Sequence, residues 1–242
     1  MGRSWLLDTI RCMPVSLEWG PVGAKVLAES SDIVVVVDVL SFSTSVVIAV
    51  ERGAVVWPHT GGENAGELAR QIGAVLAGSR SSHEGPTLSP ASLVGLDHDT
   101  RLILPSPNGS SIAHAAVNGG VPVVAGCLRN ATAVARYLAE YSRVGVVPAG
   151  ERWGDGSLRP AYEDHVGAGA VIDRLVGHDP GVELTPEAEA AVLAFRALRP
   201  LADCPSGQEL VERGFAEDVR LASEVDASTV VPLLTEGRFV PA

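Results

Sequence analysis

The sequence has few basic residues and almost no lysine. Its 242 residues include 18 Lys and Arg against 29 Asp and Glu, which gives a formal net charge of -11, and Lys25 is the single lysine. Proteins that bind nucleic acid need clustered Lys and Arg against the phosphates. The charge balance therefore argues against a nucleic-acid partner.

Long apolar runs and paired cysteines are also lacking. No run reaches the roughly 18 residues of a membrane-spanning helix, and no basic and apolar leader opens the chain. We therefore expect a soluble, cytoplasmic protein that has no membrane partner. The three cysteines, Cys12, Cys127 and Cys204, show no CxxC spacing, so we expect reduced thiols and neither a disulfide framework nor a zinc site.

The signatures of several enzyme classes are missing too. The six histidines show no HxH or HExxH spacing, which argues against zinc. No GxxxxGK[ST] or GxGxxG sequence follows a predicted strand, which argues against an NTPase or a dinucleotide enzyme. A haloacid-dehalogenase phosphatase would have a second acidic residue two positions after the first, but Leu40 stands two positions after Asp38. Cys127 lacks a recognisable His partner, so we do not expect it to act as a nucleophile.

The stretch from residue 33 to residue 50 is the strongest positive signal. Five apolar residues, four of them Val, predict a strand at 33–37 that is buried on both faces. Asp38 follows where that strand should end, in the crevice where open α/β folds bind ligands. Ser43, Thr44 and Ser45 then precede a predicted helix over 46–52, which Gly53 can close. Hydroxyls and free backbone amides at a helix start suit an anion such as phosphate, although these three hydroxyls could instead merely cap the helix.

Strand and helix signals alternate along most of the chain. Apolar segments predict strands at residues 15–19, 33–37, 54–57, 74–77, 101–104, 121–125, 144–147 and 230–233. Spacing predicts helices at residues 24–28, 46–52, 63–72, 112–117, 131–141, 162–176, 186–198, 207–213 and 217–223. This alternation predicts a three-layer α/β/α fold with a largely parallel sheet.

We expect one domain over residues 1–242, with residues 1–13 as a loose N-terminal extension. Strand 15–19 should lie near an edge with one face in solvent, and strand 230–233 should be an edge strand because it contains Pro232. Two long polar loops, 78–100 and 149–160, interrupt the alternation, and loops of this length inside a compact domain are usually functional or disordered.

Four predicted strand-to-helix junctions carry polar residues and, in a parallel sheet, would open on one edge. They are residues 38–45, 106–110, 127–132 and 163–165. Asp38 could bind a metal, activate a nucleophile or cap a helix. Asn108, Gly109 and Ser110 could present amides to an anion, or Asn-Gly could be a plain turn. The cations Arg80, Arg129, Arg152 and Arg159 fall in predicted loops on the same edge, where an anionic substrate would need some of them.

Glu163 and Asp164 are adjacent carboxylates at a predicted helix start. The helix dipole favours them there without any further role, so a solvated first turn remains one interpretation. The alternative is a Mg²⁺ site, because Mg²⁺ takes hard oxygen ligands and is usually shared with a substrate phosphate. Asn130 is a candidate cap of the helix that follows it and a candidate phosphate contact.

Taken together and in order, seven segments resemble the 2-phosphosulfolactate phosphatase family. They are VVVVDVLSFSTS, LAGSR, LILPSPNGSS, GCLRNATAVARYL, VVPAG, YEDHVGAGAVI and SGQELVERGFAEDVRLASEVDASTVVPLL. The resemblance implies a three-layer α/β/α fold and Mg²⁺-dependent hydrolysis of 2-phosphosulfolactate to 3-sulfolactate and phosphate, a step of coenzyme M biosynthesis. The family's central Asp matches Asp38 and its Glu-Asp pair matches Glu163 and Asp164. Ser41 and Ser79 stand where the family has Arg and Glu.

From the resemblance we predict a Mg²⁺-dependent phosphohydrolase of a small anionic phosphoester. Asp38, Glu163 and Asp164 would hold the metal, and Asp38, Arg80 and Asp164 would be catalytic. The phosphate would be bound by Ser43, Thr44, Ser45, Asn108, Gly109, Ser110 and Asn130. Two other hypotheses remain: a family member without catalysis that binds a small anion or a protein partner, and a phosphatase retuned to a carboxylate-bearing ester. We also expect a homo-oligomer.

Overall fold

The computed structural model describes residues 15–62, 64–82 and 84–242. Its strands are β1 (Val15–Leu17), β2 (Ile33–Val37), β3 (Val55–His59), β4 (Val75–Leu76), β5 (Arg101–Pro105), β6 (Val123–Gly126), β7 (Val144–Pro148), β8 (Glu151–Arg152), β9 (Leu158–Arg159), β10 (Pro232–Thr235) and β11 (Arg238–Pro241). Its α-helices are α1 (Gly20–Ala28), α2 (Phe42–Glu51), α3 (Asn64–Ile72), α4 (Gly109–Asn118), α5 (Ala131–Leu138), α6 (Tyr162–His178), α7 (Pro186–Arg196), α8 (Pro205–Glu212) and α9 (Ala216–Ala222). The predicted N-terminal extension lies outside the described residues.

Nine strands form one mixed sheet in the order β1-β7-β2-β6-β10-β11-β3-β5-β4. Strands β1, β7, β2 and β6 are parallel to one another, as are β3, β5 and β4, and the antiparallel hairpin β10–β11 lies between these two groups. Strands β8 and β9 form a separate antiparallel hairpin. The predicted three-layer α/β class with a largely parallel sheet is confirmed.

Strand β2 is buried on both faces, as its run of β-branched residues predicts. Its side chains alternate between two apolar clusters: Ile33, Val35 and Val37 belong to one, and Val34 and Val36 to the other. Helices α5, α6 and α7 contribute to the first cluster, and α1 and α4, with most of α2, to the second. These clusters fill the two spaces between the sheet and its helical layers.

The late strand is not at an edge, so that prediction was wrong. Strand β10 pairs with β6 on one side and with β11 on the other. Pro232 is the first residue of β10, a position at which a strand tolerates the missing N–H. Strand β11 was not predicted. Its turn places Glu236 and Gly237 at φ values of 49° and 78°, and positive φ at both residues is typical of a tight hairpin.

Three smaller predictions also need correction. Strand β1 is at the sheet edge as predicted, but all three of its residues are buried, and Val15 forms an additional bridge with Leu184. Helix α2 begins at Phe42 and not at residue 46. The loop predicted at 149–160 contains the β8–β9 hairpin. Across the described residues, no helix is long and apolar enough to span a membrane.

Candidate active site

A cavity of about 320 Å³ opens beside the carboxyl end of β2. Its lining is mostly polar and comes from five separate parts of the chain. These residues are Asp38, Leu40, Ser41, Arg80, Leu88, Ser106, Pro107, Asn108, Glu151, Arg152, Arg159, Ser206, Glu209, Leu210 and Arg213. The junctions after β2 and β5 therefore meet here, as the sequence predicts.

Asp38 lies between the starts of two helices. Its Oδ1 accepts a hydrogen bond from the backbone amide of Phe42, the first residue of α2, at 3.0 Å. Its Oδ2 accepts one from the amide of Gly109, the first residue of α4, also at 3.0 Å. Both amides carry the partial positive charge of a helix N-terminus. The carboxylate is thereby fixed in orientation, while each oxygen keeps a lone pair for a further partner.

Gly109 permits this approach because it has no side chain. A Cβ at position 109 would lie 2.2 Å from Cδ1 and 2.5 Å from Cγ of Phe42. Phe42 is fully buried and packs edge-on against Phe239 at 6.0 Å between ring centroids, so it has little room to move. Glycine at position 109 is therefore required for the close packing of α4 against α2 next to Asp38.

Asp164, at the start of α6, joins two other loops. Its Oδ1 accepts the amide of Val39 at 2.7 Å, and its Oδ2 accepts the amide of Gly150 at 2.8 Å. Both oxygens of Asp164 thus hold the backbone of two loops. Its neighbour Glu163 is also buried, and its Oε2 accepts a hydrogen bond from the Cys204 thiol at 3.3 Å.

The carboxyl groups around the cavity raise one another's pKa. Burial, with a smaller contribution from the charge of Glu163, raises the pKa of Asp38 to about 6, although its amide partners and Arg80 oppose the change. Burial and the charges of Asp38 and Glu163 raise the pKa of Asp164 well above its ordinary value. The same three causes raise the pKa of Glu151 to about 7. This group of carboxyls therefore favours a proton or another cation nearby.

Arg80 provides a fixed positive charge on the cavity wall. Its guanidinium forms an ion pair with the buried Asp218, donates to Ser41 Oγ at 3.0 Å and stacks on the Phe215 ring at 5.5 Å. Asp218 is held in turn by the Ala91 amide at 3.1 Å. Arg80 thus lines the cavity, and its orientation is set by Asp218 of α9.

The β8–β9 hairpin and α8 also contribute to the lining of the cavity. Ser206, Glu209, Leu210 and Arg213 recur at helical spacing on the face that lines the cavity. Glu151 begins the hairpin and accepts a hydrogen bond from Asn108 Nδ2 at 3.3 Å. Sequence reasoning missed Glu151, Glu209 and Arg213. Helical spacing in 206–213 was visible in the sequence, but nothing there indicated that this face would meet Asp38.

The predicted hydroxyl ligands are buried and do not line the cavity. Ser43 Oγ donates to the Val36 carbonyl at 3.0 Å, Thr44 Oγ1 to that of Val39 at 2.8 Å and Ser45 Oγ to that of Leu88 at 2.8 Å. Ser110 Oγ is buried and has no hydrogen-bond partner among the described residues. The hydroxyls of Ser43, Thr44 and Ser45 therefore secure the loop after β2 and the first turn of α2.

The junction at 127–132 does not join the cavity. Asn130 is fully buried; its Oδ1 accepts the Cys127 amide at 2.9 Å, and its Nδ2 donates to the carbonyls of Ala125 and Val230 at 3.1 and 3.0 Å. Arg129 forms an ion pair with Glu224 and donates to the Leu221 carbonyl. Both residues connect β6 to the C-terminal segment, so the expected convergence of four junctions holds for three.

The carboxylates next to the cavity have the oxygen chemistry that Mg²⁺ prefers. Within the described ranges, no three His, Cys, Asp or Glu side chains lie close enough together to bind a metal ion through three protein ligands. Mg²⁺ commonly uses only one or two carboxylates and completes its shell with water and substrate oxygens. Asp38, Glu163 and Asp164 are chemically suited to that smaller role, since each retains lone pairs that the hydrogen bonds described above do not use.

The fold and cavity define a three-layer α/β protein with an acidic, arginine-lined cleft at the strand ends. Residues 24–237 match the family described as 2-phosphosulpholactate phosphatase. A probable 2-phosphosulfolactate phosphatase of Carboxydothermus hydrogenoformans is 34% identical over 86% of this chain and 89% of its own. The 2-phosphosulfolactate phosphatase of Methanothermobacter thermautotrophicus is 31% identical over 87% and 90%. The chain therefore belongs to the 2-phosphosulfolactate phosphatase family.

Proposed function

We propose that the protein is a Mg²⁺-dependent phosphohydrolase of a small anionic phosphoester, with 2-phosphosulfolactate as the candidate substrate. The observation that carries the proposal is the position of Asp38. This carboxylate lines the cavity and is held by the first amides of two helices, in a chain whose relatives are named as phosphatases. A carboxylate fixed so firmly is prepared for chemistry and costs no reorganisation during the reaction.

We assign Mg²⁺ binding to Asp38 together with Glu163. When bound, the ion would supply Lewis-acid polarisation of the phosphoryl group. The raised pKa of Asp38 supports this assignment, because a nearby cation favours the ionised form that burial disfavours. We assign Asp164 to positioning, since its two oxygens hold the loops that carry Val39 and Gly150.

The phosphoryl oxygens are assigned to donors that line the cavity. Arg80 is the fixed cation, and its pairing with Asp218 sets the direction of its remaining N–H groups. Asn108 contributes its side-chain amide, and Ser106, which is 2% exposed, contributes at the cavity surface. A fixed guanidinium offsets negative charge that develops on the transferring group. The hydroxyls of Ser43, Thr44 and Ser45 support the loop and do not contact substrate in this proposal.

The test is phosphate release from 2-phosphosulfolactate and a panel of small phosphoesters, with Mg²⁺ and with a chelator. We expect release that depends on Mg²⁺, and we expect Asp38→Asn to abolish it while the protein remains folded by circular dichroism. The matched control is Asp32→Asn, because Asp32 pairs with Arg143 on the exposed surface and does not line the cavity. Full activity of Asp38→Asn would refute the assignment.

The second candidate is a family member that binds a phosphoester without turning it over. It is favoured by Ser41, which stands at the cavity where the family has Arg and now accepts a hydrogen bond from Arg80. Phosphate binding by a folded protein that releases no phosphate from any ester would support this alternative.

A further inference from the structure

We infer that Glu151 is the general acid of the reaction and protonates the ester oxygen as this oxygen leaves phosphorus. The inference rests on the proposed function, because it assigns a further residue of the same cavity to the same hydrolysis. Glu151 is the first residue of β8, it lines the cavity, and it is half-buried. The alkoxide of an ordinary alcohol is a poor leaving group, so a positioned proton donor accelerates its departure.

The contacts of Glu151 differ from those of the other acids in the cavity. Among the described residues that line the cavity, three are acidic. Asp38 accepts two backbone amides, and Glu209 pairs with Arg213 at 2.9 Å, so both are held in their ionised forms. Glu151 forms no ion pair within the described ranges, although four arginines line the same cavity. It is therefore the acid that can keep a proton.

The hydrogen bond to Glu151 suits a neutral carboxyl group. Its Oε2 accepts this bond from the side-chain amide of Asn108, at 3.3 Å. The carbonyl oxygen of a protonated carboxyl group can accept such a bond, and the hydroxyl then lies on Oε1. The proton is thus carried by the oxygen that Asn108 does not contact.

The surrounding charges also favour the protonated form of Glu151. Burial, and then the charges of Asp38 and Glu163, raise the pKa of Glu151 to about 7. Arg159 opposes this change, and Glu209 adds to it. A dianionic phosphoryl group in the cavity would favour the protonated form further. Near neutral pH a large share of Glu151 is therefore available as a proton donor.

Two connections bring Glu151 and Asp38 to the same part of the cavity. The side chain of Asn108 donates to Glu151, and the amide of the next residue, Gly109, donates to Asp38 at 3.0 Å. Asp164 makes the second connection, because it accepts the amides of the residue after Asp38 and of the residue before Glu151. A phosphoryl group bound beside Asp38 can therefore direct its ester oxygen toward Glu151.

The assigned step balances in atoms and protons. Water attacks phosphorus, and the bond between phosphorus and the ester oxygen breaks with its electron pair left on that oxygen. The oxygen takes the proton of Glu151 and leaves as an alcohol. The attacking water becomes a hydroxyl group of phosphate and releases one proton, which returns through solvent to Glu151.

The test compares two phosphoesters that differ in their need for a proton. One is the alkyl ester of the panel above that wild-type protein hydrolyses fastest, which we expect to be 2-phosphosulfolactate. The other is 4-nitrophenyl phosphate, whose leaving group is a stable anion. We expect Glu151→Gln to slow release from the alkyl ester by about 100- to 10,000-fold, the usual contribution of a general acid. Release from 4-nitrophenyl phosphate should fall by a much smaller factor, which also shows that the variant is folded.

The matched control is Glu209→Gln, which removes an acid from the same cavity but from an existing ion pair. It should change release from the two esters by the same factor. Equal losses for the two esters in Glu151→Gln would overturn the inference and leave the phosphatase intact. Wild-type protein that releases phosphate from no ester would refute the proposed function and the inference together.

A second measurement uses the alkyl ester alone, so it also decides the case in which 4-nitrophenyl phosphate is not hydrolysed. It compares the heavy-oxygen isotope effect at the bridging ester oxygen. In wild-type protein the arriving proton offsets the bond that this oxygen loses, so the effect should be small. In Glu151→Gln it should be larger. Equal isotope effects in the two proteins would overturn the inference.

Discussion

The Arg80–Asp218 ion pair allows a quantitative test of how the cavity cation is held. Asp218 is 1% exposed, and its Oδ1 also accepts hydrogen bonds from the Ser89 hydroxyl and the Ala91 amide. Asp218→Ala would leave a mostly buried cation unpaired and remove the acceptor of two donors. Loss of one partner of a buried ion pair costs about 3–5 kcal/mol. For a chain of this size we therefore expect Tm to fall by roughly 6–20 °C.

The assays are thermal unfolding for Tm and urea unfolding for the free energy, both followed by far-UV circular dichroism and extended to a double-mutant cycle with Arg80→Ala. The double variant should lose less than the sum of the two single variants, because it buries neither charge alone. The matched control is Glu217→Ala, the adjacent position in α9, whose carboxylate pairs with the exposed Arg220; solvent screens this pair, so its loss should change stability little. If Asp218→Ala costs no more than Glu217→Ala, the pair does not hold Arg80 as argued.

Two further predictions concern the packing beneath the cavity. Gly109→Ala should destabilise the protein by about 1–3 kcal/mol and lower turnover, because the added Cβ would overlap the Phe42 ring. The control is Gly66→Ala in α3, where the space around the added Cβ is open. In the same urea titration this variant should stabilise the protein by up to about 1 kcal/mol. Asp164→Ala leaves two amides without acceptors and should cost about 2–4 kcal/mol by thermal unfolding, and a loss below about 1 kcal/mol would contradict the positioning role.

The sequence could predict elements whose signal is local. Five consecutive β-branched residues made β2 recognisable, and Asp38 fell at its end as expected. Glu163 and Asp164 were recognisable at the start of α6. Strand β11 was missed because its four residues follow β10 after a two-residue turn. Its pairing with β3, nearly two hundred residues away, is a tertiary feature that no local pattern carries.

The cavity was harder to predict than the fold. Hydroxyls at a helix start can point toward a ligand or toward nearby carbonyls. Those of Ser43 and Thr44 donate hydrogen bonds to backbone carbonyls. Glu151 and Arg213 reach the cavity only because the hairpin and α8 fold back over it. The expected homo-oligomer, cytoplasmic location, single domain and Mg²⁺ requirement stay predictions.

The distribution of charge in the cavity gives a physical reason for the proposed substrate class. Around Asp38, burial and neighbouring carboxylates disfavour ionisation, so that side gains from an added cation. Elsewhere in the lining, Arg159 forms no ion pair among the described residues and gains from an added anion. A phosphoester that carries a second acid and arrives with a divalent cation satisfies both sides at once. Any ligand that binds only the folded state adds to its stability by mass action. We therefore expect Mg²⁺ and 3-sulfolactate together to raise Tm more than either does alone.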